Sequence, residues 1–323
     1  MARILTGIQS TGTPHLGNLL GAIRPAIDLA NQSENESFLF IADLHSLTQV
    51  KDGNTLRQNT YAVAAAWLAF GLDTKRTVFY RQSDVPEVTE LAWYLNCFFP
   101  YQRLTLAHSF KDKADRLEDV NGGLFSYPML MAADILLYDA DFVPVGKDQL
   151  QHLEMTRDVA SRFNHKMGET FVVPKELIRE ETQLVPGLDG EKMSKSKGNI
   201  LDIFADEKSL KQRINKEIIT DATPLEDPKD PDSSVVYQLY KLVASESDAN
   251  AMASALRAGG YGWGHAKKAL LEAVVDGFAP QREAFNQWMN DRNALDSELS
   301  KGAARAREVA QPVLQRVREK IGF

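Results

Sequence analysis

The chain has 323 residues, 44% of them hydrophobic and 25% charged, the balance of an ordinary globular protein long enough for a large catalytic domain and a second one. Thirty-seven Lys/Arg against 44 Asp/Glu give a net charge of −7, which argues against a general polyanion binder but not against a local basic patch. A single cysteine, Cys97, excludes an intrachain disulfide and makes a cysteine-based zinc or iron–sulfur site untenable.

In chain order, Ile4 to Ile8 reads as a short apolar strand that breaks into a glycine-punctuated turn, Gly7 to Asn18. The helix after it carries Leu16, Leu19, Leu20, Ile23 and Ile27 on one face. A strand that passes through glycines into a helix N-terminus offers backbone N–H groups and the positive end of the helix dipole, which suits a phosphate. The stretch is neither GxGxxG nor GxxxxGK[ST], so neither the dinucleotide nor the Walker reading applies. Ser37 to Ala42 is a second strand ending at Asp43-Leu44-His45; a helix from Leu56 to Phe70 is closed by Gly71. Thr77 to Tyr80 is a third strand, followed by a helix over Glu87 to Phe98 in which Cys97 is expected to be a buried structural thiol. Residues 107 to 123 read as a helix end and mobile loop.

Tyr127 to Tyr138 is a mostly apolar helix with Asp134 in its middle, a carboxylate costly to bury without a partner. Phe142 to Val145 is a strand, and Asp148 to Arg162 a helix starting at Gly146-Lys147-Asp148. Alternating strands and helices predict a Rossmann-like parallel sheet with helices on both faces, whose ligands bind at the carboxyl ends of the strands. Gln9 and His45 lie just past such ends. Leu184 to Asn199 is a Gly- and Lys-rich loop, Pro224 to Asp232 a linker-like stretch, and everything beyond reads as helical. The expected division is a catalytic domain over 1–205 and an all-helical domain over 206–323. The last helix carries Leu295, Leu299, Ala306, Ala310, Val313, Val317 and Ile321 on one face. From Ser300 to Phe323 there are six Lys/Arg against two Glu, a basic end on an acidic protein.

Two stretches carry a specific resemblance. Pro14-His15-Leu16-Gly17-Asn18 resembles the HIGH signature of class I aminoacyl-tRNA synthetases, with Asn18 in place of the second histidine, as in the tryptophan and tyrosine branch. Lys192-Met193-Ser194-Lys195-Ser196 reproduces their KMSKS signature. Gly7-Ile8-Gln9, Met131 to Tyr138 and Val143 to His152 look like the tryptophanyl-tRNA synthetases, over nearly the whole chain and more thinly after about residue 220.

The resemblance implies an ATP-dependent ligase that makes tryptophanyl-adenylate and passes it to tRNA(Trp), forming AMP and diphosphate; the tyrosine enzyme is the alternative. It implies ATP contacts from Gln9, Ser10, Thr11, His15, Gly17, Asn18, Gly146, Lys192, Met193, Ser194, Lys195 and Ser196. Among these, Lys192, Ser194 and Lys195, joined by Lys113, would neutralise the transferring and leaving phosphates. Asp134 would accept the indole N–H, with Gln149 and Tyr127 at the ammonium and carboxylate ends, His45 nearby, and Met131, Val145 and Leu5 as apolar walls. Asp148 would make a ribose or amine contact, and His152 fits a structural role equally well. Mg²⁺ is expected with ATP, with no dedicated metal site. Further implications are a homodimer, cytoplasmic and without a membrane segment, whose helical end reaches the tRNA. A non-catalytic tRNA-binding paralogue should have lost His15 or the loop lysines, and a small-molecule nucleotidyltransferase would leave the helical end without a purpose.

Overall fold

The computed structural model describes residues 1–32, 34–107, 120–146, 149–178 (of residue 178 the backbone alone) and 185–323. Five parallel strands form one sheet in the order β3-β2-β1-β4-β5: β1 Ala2–Ile8, β2 Asn35–Ile41, β3 Val78–Arg81, β4 Phe142–Val145 and β5 Lys175–Ile178. Strand β5 is absent from the expected elements. The chain winds outward from β1 to β3, then crosses back to β4 on the other side of β1, so the strand order reverses between β1 and β4. Ligands of open parallel sheets bind at that reversal, beyond the carboxyl ends of the strands.

Alternate strand residues feed two cores. Phe38, Phe40, Val78, Tyr80, Val143 and Val145 enter one, while Leu39, Ile41 and Phe79 enter the other. Helices α1 (Leu16–Asn18), α2 (Arg24–Ala30) and α4 (Gly53–Ala69) cover the second core, a single π-turn over Leu19–Ile23 joining α1 to α2; short α3 spans Asp43–Ser46. The first core is closed by α5 (Glu87–Phe98), α7 (Gly122–Leu136) and α8 (Leu150–Met167), with short α6 at Tyr101–Leu104. Helices lie on both faces, as expected. Two starts differ from expectation: α7 begins five residues before Tyr127, capped by Asn121 on the Leu124 N–H, and α8 begins at Leu150.

From residue 207 onward the described chain is helical: α9 (Glu207–Glu217), α10 (Val235–Val243), α11 (Glu246–Ala258), α12 (Trp263–Gly277), α13 (Ala279–Asn290) and α14 (Arg292–Ile321). The stretch expected as a linker is held tightly. Lys229 is buried within it and donates to the carbonyls of Pro224, Leu225 and Asp227. Helix α14 runs 30 residues back across the edge strand β3, contributing Leu295 and Leu299 to one core and Ala306, Ala310, Val313 and Val317 to the other. It thus covers a sheet edge that would otherwise present unpaired backbone groups.

That packing also engages the basic end within the chain. Arg305 donates to the carbonyls of Thr74, Arg76 and Thr77, and Arg307 bonds Glu87. Arg316 reaches Asp139 at 2.7 Å, and Arg318 grips Glu90 with two donors at 2.7 and 2.6 Å. These arginines are half-buried and each has a partner within the chain, so they rivet α14 to the sheet. Cys97 is a correction, being exposed. The inward face of α5 is Val88, Leu91, Ala92 and Leu95, which turns Trp93 and Cys97, one helical turn apart, outward.

Candidate active site

The turn after β1 and the loop around residue 195 meet at the β1–β4 reversal. His15 caps α1: its Nδ1 accepts from the Asn18 N–H while its own N–H donates to the Asn18 side chain, both at 3.3 Å. The first turn is already engaged elsewhere too. Leu16 N–H donates to the Leu201 carbonyl at 2.8 Å, and Gly17 N–H rests on the Met193 thioether at 3.3 Å. A thioether is a weak acceptor, so of these donors the Gly17 N–H is the one most readily given up to a phosphate. Lys195 crosses to the same turn, its ammonium 2.8 Å from the Gly12 carbonyl. Gly12 has φ +133°, and a Cβ there would come within 3.2 Å of the lysine nitrogen, so glycine suits both the bend and the approach.

Burial and the Lys195 charge together hold His15 neutral, lowering its pKa to about 4; with Nδ1 accepting, the proton sits on Nε2. Burial lowers Lys195 to about 8, opposed by the nearby Asp202, whose own carboxyl is raised by burial. The loop is braced by Asn199, which accepts from Ser194 N–H at 2.8 Å and donates to Asp189 and to the Lys192 carbonyl. Ser194 and Ser196 hydroxyls pair at 2.8 Å, while the Lys192 side chain is exposed. Gln9 is exposed just past β1, Thr11 is half-buried, and Ser10 is buried against the Ser46 hydroxyl at 2.9 Å.

The second half of the site surrounds Asp134, buried on α7. Its Oδ2 lies 2.9 Å from His45 Nε2, and the Gln82 amide nitrogen lies 2.8 Å from each of its oxygens. Burial raises the Asp134 carboxyl above its ordinary range, and these two partners pull it back. Tyr127 OH meets His152 Nε2 at 2.6 Å, and His152 Nδ1 meets Gln149 Oε1 at 3.0 Å, so His152 links the two expected substrate contacts. The Tyr127 and His45 rings stand edge to face at 6.1 Å. Leu5 and Val145 are buried, Met131 is half-buried and Gly146 is exposed at the end of β4. Lys113 and Asp148 lie outside the described residues. The sequence reading missed Gln82, Asn199 and Asp202; a lone Gln after a strand carries no motif, but its place at the end of β3 is where site residues gather.

Among the described residues no group of three or more His, Cys, Asp or Glu could hold a metal ion, and no helix is long and apolar enough to cross a membrane. The family described as tRNA synthetases class I (W and Y) matches residues 1–279. The tryptophan–tRNA ligase of Rhodopirellula baltica is 48% identical over 99% of each chain. The chain belongs to the class I tRNA synthetases of the tryptophan and tyrosine family, and within it to the tryptophan–tRNA ligases. A tryptophanyl-tRNA synthetase structure from Campylobacter jejuni, complexed with ADP and tryptophan, is 45% identical and superposes with a TM-score of 0.95 over 99% of this chain and 100% of that one. A tyrosyl-tRNA synthetase from Archaeoglobus fulgidus is 20% identical with a TM-score of 0.65 over 88% of this chain and 90% of that one, and shares the fold alone. This synthetase therefore has its two signature stretches facing one another at the sheet's switch point.

Proposed function

We propose that this synthetase binds L-tryptophan and ATP at the β1–β4 reversal, forms tryptophanyl-adenylate and transfers the tryptophanyl group to tRNA(Trp). The tryptophan carboxylate attacks the α-phosphorus and diphosphate leaves; the tRNA terminal hydroxyl then displaces AMP. No enzymatic nucleophile is needed, so the protein's work is placement and charge neutralisation. The neutral His15 Nε2–H, Asn18 and Gly17 N–H hold ATP phosphates, and Gln9, Ser10 and Thr11 flank the nucleotide. Lys195, Lys192, Ser194 and Lys113 offset the charge that develops on the leaving diphosphate, while Met193, Ser196 and Gly146 line the nucleotide. Asp134 accepts the indole N–H with His45 beside it; Tyr127 and Gln149 surround the amino acid's polar end, with Leu5, Met131 and Val145 as walls. Mg²⁺ enters on the phosphates as part of the substrate.

The observation that supports this reading most is the Lys195–Gly12 contact at 2.8 Å, which puts a loop cation on the phosphate turn within one fold that also buries Asp134. The partner protein is a second copy: α5 and α6 leave Trp93 and Tyr101 68% and 66% exposed, more apolar ring than a monomer gains by showing water. The place of work is the cytoplasm, where charged tRNA is used. We keep residues 1–205 and 206–323 as catalytic and tRNA-binding parts, the latter offering α9 to α13 to the tRNA. ATP–pyrophosphate exchange with each of the twenty amino acids is the test. Exchange with tryptophan alone is expected; exchange with tyrosine at comparable efficiency would overturn the reading.

A further inference from the structure

Gln82 is 1% exposed, sits in a single 3₁₀ turn at the carboxyl end of β3, and spends its amide on Asp134. Its nitrogen is equidistant from the two carboxylate oxygens, 2.8 Å from each, so it lies in the mouth between them. His45 Nε2 approaches Oδ2 at 2.9 Å and must come from that oxygen's outer side. An ionised carboxylate offers about four acceptor directions. With the inner pair and the outer side of Oδ2 taken, the outer side of Oδ1 is the direction left for a ligand. The amide orientation follows from chemistry, because a carboxylate can only accept and therefore faces the NH₂ end. The carbonyl end lies 3.4 Å from the His45 backbone N–H.

The turn that carries Gln82 is itself stapled to the element that carries His45. Asp43, on α3 with His45, accepts from both the backbone N–H and the hydroxyl of Ser83. Arg81, the last residue of β3, bonds Asp84 of the turn at 2.8 Å and Asp296 of α14 at 2.7 Å. The two donors to Asp134 therefore move as one body.

We propose that Gln82 is a positioning residue that holds Asp134 as a fixed acceptor-only group, and so sets the preference for an amino acid whose ring carries an N–H. The inference rests on the reading that Asp134 accepts the indole N–H. Without the Gln82 amide, a carboxyl this deeply buried has one donor fewer to keep it ionised and nothing to fix its plane. A protonated or rotated Asp134 would present an O–H, or no lone pair, to the indole N–H. The loss would fall on substrates with that N–H and spare those without it.

The test is ATP–pyrophosphate exchange with tryptophan and with benzothiophenyl-alanine, which has the same shape and no N–H. In Gln82→Met, which keeps the volume and removes the donor, the ratio of the two kcat/KM values should fall about tenfold or more, with KM for ATP unchanged. Gln82→Leu likewise removes the donor at a similar volume; it should lower the ratio as far, and serves if the Met variant does not fold. Placed in an Asp134→Ala background, Gln82→Met should leave the ratio where Asp134→Ala alone puts it, because the pair acts as a unit. Equal losses on both substrates would make Gln82 merely structural, and an unchanged ratio would remove it from specificity. If Asp134→Ala itself leaves the ratio unchanged, the indole reading fails and takes this one with it. If Asp134→Ala collapses the ratio while Gln82→Met does not, the assignment of Gln82 alone is overturned.

Discussion

The Lys195 ammonium and the Gly12 carbonyl lie 2.8 Å apart across 183 residues of chain, a contact that brings the later signature loop onto the turn after β1. A half-buried ammonium held by one carbonyl is easily recruited by a phosphate, which offers full rather than partial negative charge. Lys195→Ala should lower the rate of adenylate formation far more than it weakens tryptophan binding, since the charge acts on the transferring phosphate. Because burial brings the lysine down to about 8, the group is charged below that pH and neutral above it. The kcat/KM for ATP should therefore decline above pH 8, by about tenfold per unit at the limit. Lys195→Arg should abolish that decline, since a guanidinium stays charged. A parent profile flat to pH 9.5 would show that the Lys195 charge is not used.

His15 gives a prediction of opposite sign. Its folded pKa, about 4, lies below the 6.5 of the unfolded chain, so the unfolded state takes up the proton first on acidification. The resulting contribution to stability is present above pH 6.5 and is lost as the pH falls toward 4. His15→Asn cannot titrate and should lack that share of acid sensitivity. The parent's urea midpoint should fall relative to the variant's as the pH drops from 7 to 4.5; parallel curves would mean that His15 titrates normally.

Much of the candidate site was legible because its residues sit in two contiguous signatures and at strand ends. His15, Gly17, Asn18 and Lys192 to Ser196 announce themselves as strings, and Asp134 as a charge in an apolar helix. Gln82 does not, because its meaning comes from Asp134, 52 residues away, and the 3₁₀ turn that joins them spatially has no composition of its own. Strand β5, Lys-Glu-Leu-Ile, is half charged; as an edge strand next to β4 it needs little apolar alternation. The partners of the basic end were hidden for a related reason. Local charge shows a surplus of cations, but Glu87, Glu90 and Asp139, which neutralise it, are remote in sequence and meet it only once α14 folds back.

Arg305 tests that folding back. It donates to the carbonyls of Thr74 and Thr77 at 2.9 and 3.2 Å and so satisfies the loop leading into β3. Arg305→Ala strands those acceptors and should cost about 1–3 kcal/mol in urea unfolding. The salt dependence of tRNA binding should stay unchanged, because the guanidinium is already spent within the chain. An unaltered midpoint together with a shallower salt slope would return Arg305 to the tRNA-facing role its charge first implies.

Gly302 tests the seat of α14 on the sheet edge. In an exposed helix, Gly→Ala stabilises by up to about 1 kcal/mol, since alanine loses less backbone freedom on folding. At position 302 a Cβ would stand 1.7 Å from the Phe79 carbonyl oxygen and 2.6 Å from its carbon, both backbone atoms of β3 that no side-chain rotation can clear. Gly302→Ala must therefore lift the helix from the strand, loosening Ala303 and Ala306 in one core and Leu299 in the other. The expected cost is about 1–3 kcal/mol or more, the range for overpacking a tight contact. Gly264, in α12, has nothing within 4 Å of a built Cβ and is the internal control. Gly264→Ala should be neutral or stabilising in the same urea titration while Gly302→Ala destabilises. Equal effects at the two positions would mean that α14 does not rest on β3 at this glycine.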